Sequence, residues 1–401
     1  MRRFSLLGLL ALLACGPEVE PVLPTDRFTK IYDSEQFDAA YRPLDVAQID
    51  NGYVVLAARR LSDSDFYGVS LLHTDLEGTF VGITDLANTY VQPTPGIRPT
   101  SAGFQFFCMD RSTLQSYVVT VDPATGTPSE PVAVGGLNYP LAIGLSTNQN
   151  LLLLSYSPAN QNSVISEVSP DGSVIRSQGF SIGAGNDVEG AIVNHFTRED
   201  SQLPFFVGQS EEGTYYFNGF YNYTLSMVFT DLNSNTPRGV LQGQQTSAGL
   251  FAARSLGNEV YAIATFNFNQ RYIQSRVDLN ETSVSSTVNY EANPVPEMDL
   301  ASKVRISRVQ FDDPHLIYGC HTRDRQIALY AYRESDGALV GTRYLGFGLP
   351  YSFSSMRETV DGGLIITGSV YVADRFERIA LIKLSENDKR ELLGTLPVLP
   401  D

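Results

Sequence analysis

Beyond Phe28 the chain shows no long apolar run at helical spacing; it shows short apolar strands, many alternating, each closed by a turn. The turns fall into two interleaved series. The first is Asp50-Asn51-Gly52, Ser101-Ala102-Gly103, Asn148-Gln149-Asn150, Glu199-Asp200-Ser201, Leu256-Gly257-Asn258, Asp312-Asp313-Pro314 and Asp361-Gly362-Gly363. It recurs roughly every 50 residues, a spacing typical of repeat architectures. The second is Asp75–Gly78, Asp122–Gly126, Ser169–Gly172, Asp231–Ser234, Asp278–Glu281, Glu334–Gly337 and Ser385–Asp388.

The segments between turns are also alike. After each first turn comes an apolar strand: Tyr53–Leu56, Phe104–Phe107, Leu151–Leu154, Phe205–Val207, Val260–Ile263, Leu316–Tyr318 and Leu364–Ile366. Each is followed closely by a small residue (Ala57, Cys108, Ser155, Gly208, Ala264, Gly319, Gly368), as a sheet narrowing toward a crowded axis requires. Two hairpins per unit make four strands per unit. Seven such units in radial repetition predict an all-β fold, a single seven-bladed β-propeller over residues 28–401. Six or eight blades would require one unit to be misread. Two stacked β-sandwiches are the alternative, weakened because the repeat runs to about Gly394 without a linker.

Asp361-Gly362-Gly363-Leu364-Ile365-Ile366-Thr367-Gly368, followed by Ile379–Leu384, resembles a bacterial repeat built on an Asp-Gly-Gly turn. The other units are degenerate copies. The resemblance implies the fold and carries no function. Phe28–Tyr32 reads as an outer strand that would complete the last blade and hide its edge. Leu392–Leu396 competes for that slot.

The first residues set an address. Met1-Arg2-Arg3 is basic, and Phe4–Ala14 is an apolar run too short to span a bilayer. The run ends Leu12-Leu13-Ala14-Cys15-Gly16, which resembles the bacterial lipoprotein signal. That resemblance implies a signal peptide over residues 1–14 and a lipidated Cys15. Acyl chains on Cys15 would anchor the protein at roughly 0.8 kcal/mol per buried CH₂. Gly16, rather than Asp, after the cysteine points to the outer membrane of the cell envelope, with the anchor leaflet left open. Pro17, Pro21 and Pro24 make residues 15–27 an extended tether.

Composition changes the list of partners. The 401 residues carry 28 Lys+Arg against 44 Asp+Glu, a formal charge of −16. Nucleic acid and anionic lipid surfaces would be repelled, so membrane contact is expected through the lipid alone. Three cysteines cannot build a disulfide scaffold. Cys108 and Cys320 sit at matched places in units two and six and read as buried thiols. His73, His195, His315 and His321 lack metal-ligand spacing, and no nucleophile elbow or phosphate-binding glycine loop occurs. Asp63-Ser64-Asp65 lacks the rest of a calcium loop. Asp171 lacks the spacing of a sialidase-type Asp box, and the chain has no Trp. No catalytic residue, metal or cofactor is assigned.

Two features remain as candidate binding chemistry. Asp110-Arg111, Asp324-Arg325 and Asp374-Arg375 each lie between the two hairpins of a unit, with Arg60 and Arg271 in comparable places. In a propeller those loops share a face with the blade-to-blade connections. Arg111, Arg325 and Arg375 there would suit carboxylates or an acidic glycan, because guanidinium bonds them bidentately. The competing reading is that each Asp-Arg pair ties the fold together. The second feature is Tyr215-Tyr216-Phe217-Asn218-Gly219-Phe220-Tyr221-Asn222-Tyr223 in unit four. Asn218-Gly219 is a two-residue hairpin signal. Tyr215, Tyr216, Tyr221 and Tyr223 around it would stack on sugars or form a protein contact, or else pack between blades.

The function these features predict is a lipid-anchored envelope propeller, monomeric as a domain, that binds or assembles with an envelope protein or a glycan. The alternative is a glycan-active enzyme, a lyase or glycosidase, working on the same face.

Overall fold

A computed structural model describes residues 26–33, 39–183, 186–198, 201–284, 289–372 and 376–395. The strands form antiparallel sheets taken in chain order, each holding one repeat unit apart from one sheet that holds two. The inner strands are Tyr41–Ile49, Arg98–Thr100, Pro140–Leu145, Phe206–Gln209, Ala248–Gly257, Arg305–Phe311 and Tyr351–Glu358. Blades one and two are joined into a nine-stranded sheet by the short strand Tyr90–Val91. Blade five shows three strands among the described residues. Inner strands touch in succession from blade two through blade seven, and blade seven packs on blade one. The chain is a seven-bladed β-propeller.

The reason lies in the strands themselves. A propeller blade is covered on both faces, so its middle strands are apolar on both. Leu152, Leu154 and Tyr156 pack toward blade four, while Leu151 and Leu153 pack toward blade two. Leu364, Ile366 and Val370 pack toward blade six, while Ile365 packs toward blade one. The buried core accordingly divides into seven clusters, one per seam between blades. The small residues behind those strands are sterically required near the axis. A Cβ on Gly319 would lie 2.3 Å from the Phe353 ring, and one on Gly368 would lie 2.1 Å from the Ser352 carbonyl.

Turn chemistry holds the hairpins as their sequences predict. Asp75, Asp122 and Asp231 accept hydrogen bonds from the backbone N–H groups of Thr79, Ala124 and Asn233 at 2.6, 2.7 and 2.9 Å. Asp361 accepts from Gly363 N and from Lys383 Nζ, and Gly362 takes φ +80°.

Three expectations are corrected. In unit four the expected first turn, Glu199-Asp200-Ser201, lies partly outside the described residues, and the turn between the first two strands falls later. Helix α1 (Asn186–Thr197) occupies the connection, Phe206–Gln209 is the inner strand, and Ser210–Thr214 makes the turn. Asn218-Gly219 is not a hairpin turn. Both residues lie within the strand Tyr215–Tyr221, and the turn is Asn222-Tyr223, at φ +44° and +72°. Asn218 is held in the strand because its amide donates to the Pro204 and Leu250 carbonyls at 2.8 and 2.9 Å. Finally, Ser385–Asp388 opens helix α2 (Glu386–Leu392) through a capping box rather than a second hairpin.

The slot beside Phe376–Leu384 is filled by Phe28–Ile31, with Phe28 opposite Lys383 and Ile31 opposite Ala380. The N-terminal strand therefore completes the last blade, as its sequence predicts; Leu392 and Leu393 instead pack into the seam between blades six and seven. Tyr32 donates to the Gly78 carbonyl at 2.9 Å and fastens this strand to blade one. Deleting residues through Tyr32 should lower stability by on the order of 3 kcal/mol, from lost burial of Phe28 and Tyr32. It should also leave an unpaired edge that dimerises. Thermal unfolding and size-exclusion chromatography would show both; unchanged melting and a clean monomer would refute the closure.

Candidate functional site

Among the described residues, blade-to-blade connections and middle hairpin segments meet on one face. A cavity of about 920 Å³ opens there. Its wall comes from the connections entering blades four, five and six, and from the middle hairpin loops of blades five, six and seven. Among the described residues, five cationic side chains line it, Arg42, Arg271, Lys303, Arg305 and Arg325, against one carboxylate, Glu377. Phe205, Phe251, Phe266 and Phe268 supply apolar wall. A cationic cavity in a chain of net charge −16 focuses anions at one place.

The hairpin after Val260–Asn267 is tight, with Phe268 at φ +48° and 63% exposed at the rim. It brings Arg271 between the Phe251 and Phe266 rings, 5.4 Å from each centroid. Arg271 donates to the Gln270 carbonyl at 3.3 Å and to that of Leu300. Its Nε is buried with no partner. Burial lowers its pKa, and Asp299 opposes that shift. Arg325 sits at φ +59° in a turn closed by its own N–H to the Thr322 carbonyl at 2.9 Å. Among the described residues its guanidinium has no hydrogen-bond or ion-pair partner. Glu377 is engaged by the Ser369 hydroxyl and by Arg42 at 3.4 Å.

Two histidines border the cavity as neutral groups. His195 Nδ1 accepts from Leu203 N at 2.8 Å, and burial pushes its pKa down to about 3. His321 Nδ1 accepts from Phe353 N at 3.3 Å, and burial pushes its pKa down to about 4 despite Asp299, whose carboxylate is 4.0 Å from Nε2.

The sequence-selected arginines divide. Arg325 and Arg271 line the cavity. Arg111 instead bridges to blade one, 2.9 Å from the Asp63 carboxylate, and Asp110 caps its own turn through Ser112 and Thr113. Arg60 lies over the Tyr67 ring and donates to its hydroxyl at 3.1 Å. Arg375 lies outside the described residues, as does Cys15.

The tyrosines divide as well. Tyr215 is buried and donates to Glu167 at 2.8 Å; Tyr216 is buried edge-on to Tyr261. Tyr221 packs against the seam of blades three and four. Tyr223 is half exposed, with its ring over Gly183. None of the four lines the cavity. Cys108 and Cys320 are buried free thiols. Among the described residues no three His, Cys, Asp or Glu side chains gather as a metal site.

Sequence reasoning missed Phe251, Phe268 and Lys303, which belong to the cavity only through folding. It also missed Arg305 and Arg357, and it placed the segment Gly96-Ile97-Arg98-Pro99 on this face without singling out Arg98. Arg98, Arg305 and Arg357 stand in inner strands three, seven and four residues before their first turns, an irregular spacing that aligning the units does not reveal.

No protein-family model matches the chain, and no curated protein matches it. Among solved structures it is similar to the β-propeller domain of the Trilobed protease from Pyrococcus furiosus, at 9% identity and TM-score 0.49, covering 90% of this chain and 98% of that one. It is similar to a protein from Lactobacillus plantarum at 10% identity and TM-score 0.47, covering 86% and 96%. It is also similar to the C-terminal WD40 domain of Sif2, at 10% identity and TM-score 0.42, covering 86% and 84%. At such identities these likenesses concern the fold alone, and the blade assignment stands on the sheets and seams described above.

The histidines give a pH dependence. Unfolded histidine binds its proton near 6.5, whereas folded His195 and His321 stay neutral down to about 3 and 4. The unfolded state therefore binds more protons between these values. Stability should fall on acidification from pH 6.5 toward 4, by up to about 1.4 kcal/mol per pH unit for each histidine. His195→Gln, which keeps an acceptor for Leu203 N, should flatten that slope. Chemical denaturation at several pH values checks this; a slope identical in the variant would refute it.

Proposed function

We infer that this protein is an envelope-anchored binding propeller that takes an acidic glycan in the cavity of its connection face. The single observation that carries the reading is the lining: Arg271, Lys303, Arg305 and Arg325 beside exposed phenylalanine, in a strongly acidic chain. Guanidinium groups bind uronate carboxylates bidentately, and flat rings such as Phe268 stack on sugar faces. The cavity volume of about 920 Å³ suits an oligosaccharide segment.

Binding is preferred over hydrolysis because paired-carboxylate hydrolysis needs two acids. The described lining offers Glu377 alone, already bonded to Ser369 and Arg42. The lipoprotein-like Leu12-Leu13-Ala14-Cys15 supports delivery to the envelope by a lipid on Cys15. The Asp-Gly-Gly-type units fit a repeat scaffold dedicated to presenting that face.

Isothermal titration with an oligogalacturonate should show saturable binding that weakens with salt. Arg325→Ala should cost roughly tenfold or more in affinity, the worth of a charge-assisted hydrogen bond. Equal binding of a neutral oligosaccharide, or an unaffected Arg325→Ala, would overturn the assignment. Independently, Cys15→Ser should move the protein from the membrane to the soluble fraction of envelope preparations. Retention in the membrane would refute the lipid anchor.

A further inference from the structure

Below the cavity, four inner strands bring one carboxylate and three guanidinium groups to the axis. Asp45 of blade one is 4% exposed. Arg357 of blade seven donates to it through Nη2 at 2.5 Å and Nε at 3.2 Å. Ile97 N donates at 2.7 Å and Val46 N at 2.9 Å, while Arg98 stands 3.7 Å away. The carboxylate is thereby saturated with donors.

The arginines are not matched in charge. Arg98 of blade two spends its other contacts on the Ile97 and Ile143 carbonyls, each at 3.2 Å. Arg305 of blade six reaches across the ring to the Pro95 carbonyl at 2.9 Å. Arg357 also donates to the Ile97 carbonyl. All three guanidinium groups thus converge on the segment 95–98 that runs into the axis. One Asp45 charge against three arginines leaves an excess of two positive charges. The side chains of Arg98 and Arg357 still keep 26% and 24% of their surface open. Arg305 and Pro95 form part of the cavity lining, which gives a way in from the connection face. Uncompensated buried charge is costly, and an anion of matching charge relieves it. Burial first, and then the neighbouring Arg357, push Arg98 down to about 10 against the opposing Asp45 carboxylate, with Arg305 and Arg254 adding to the fall.

We propose that the axis holds a divalent oxyanion of the phosphate or sulfate class, gripped by Arg98, Arg305 and Arg357 beneath the cavity floor. The site stands on its own geometry and does not depend on the glycan reading. The anion is either free in solution or the terminal phosphoryl or sulfate group of a larger ligand. The shared chemistry is a tetrahedral dianion meeting forked donors.

The test is thermal unfolding of the full mature chain in rising inorganic phosphate at pH 7.5, with sodium chloride holding ionic strength constant. Ligand linkage predicts a saturable rise in Tm of about 2 °C or more. In Arg305→Gln the phosphate midpoint should move at least about tenfold higher. Arg98→Gln is the second variant, should Arg305→Gln fail to fold. Asp45→Asn removes the competing carboxylate and should respond to phosphate more strongly than the parent. No rise beyond that in chloride with either inorganic phosphate or a phosphorylated sugar, or an equal response in the folded arginine variant, overturns the site. A parent that responds to a phosphorylated sugar and not to inorganic phosphate assigns the group to a larger ligand; the reverse assigns it to the free ion. Because the probe is phosphate, failure here leaves the oligogalacturonate titration standing.

Discussion

A blade with two apolar faces is soluble only when both are covered, and that constraint governs this molecule. Every middle strand carries Leu, Ile, Val or aromatic residues on both sides, so each sheet needs two neighbours. A row of sheets always leaves two faces bare; a ring leaves none. The seam between blades seven and one is therefore decisive. It is made from Val46, Tyr53 and Val55 on one side and Ile365, Ile379 and Leu381 on the other. Around that core run the Arg357–Asp45 pair and the Arg378–Asp33 pair, with the Gln48 side chain accepting from Val360 N. The strand Phe28–Ile31 closes the last edge.

Ring closure then sets where chemistry can occur. Inner strands converge, so small residues such as Gly319 and Gly368 are required behind them and only selected long side chains reach the axis. Chain connections gather on one face, so residues distant in sequence share one cavity. Arg271 arrives on a hairpin of blade five, Lys303 on the approach to blade six and Arg325 on a loop of blade six. Acidic residues dominate the composition as a whole, while the cavity gathers cations. That contrast, rather than any motif, distinguishes this face.

The repeat was legible because it is written in turns, whose chemistry is local. Asp122 and Asp231 bond their own turns wherever the fold places them. The closing strand was legible because an apolar strand without a hairpin partner must pair elsewhere. Unit four was misread because two local signals lost to tertiary packing. The connection before it contains helix α1, whose buried Val188, Ile192 and Phe196 recur at helical spacing and were masked by the surrounding strand pattern. Asn218-Gly219 reads as a turn in isolation, yet Asn218 supplies two buried hydrogen bonds and stays in the strand. The arginine face was half legible. Loop position found Arg325 and Arg271, while Arg111 was captured by Asp63 of the neighbouring hairpin, a contact no spacing reveals. The axial arginines were invisible because their meaning lies in which strands converge.

The most direct test of the central claim, that the connection-face cavity takes an acidic ligand, is hydrogen exchange followed by mass spectrometry with and without saturating oligogalacturonate. The account predicts added protection in 266–271, 300–305 and 322–326, with the opposite-face hairpins at 50–52, 148–150 and 361–363 unchanged. Protection confined to the opposite face, or none at all, would contradict it.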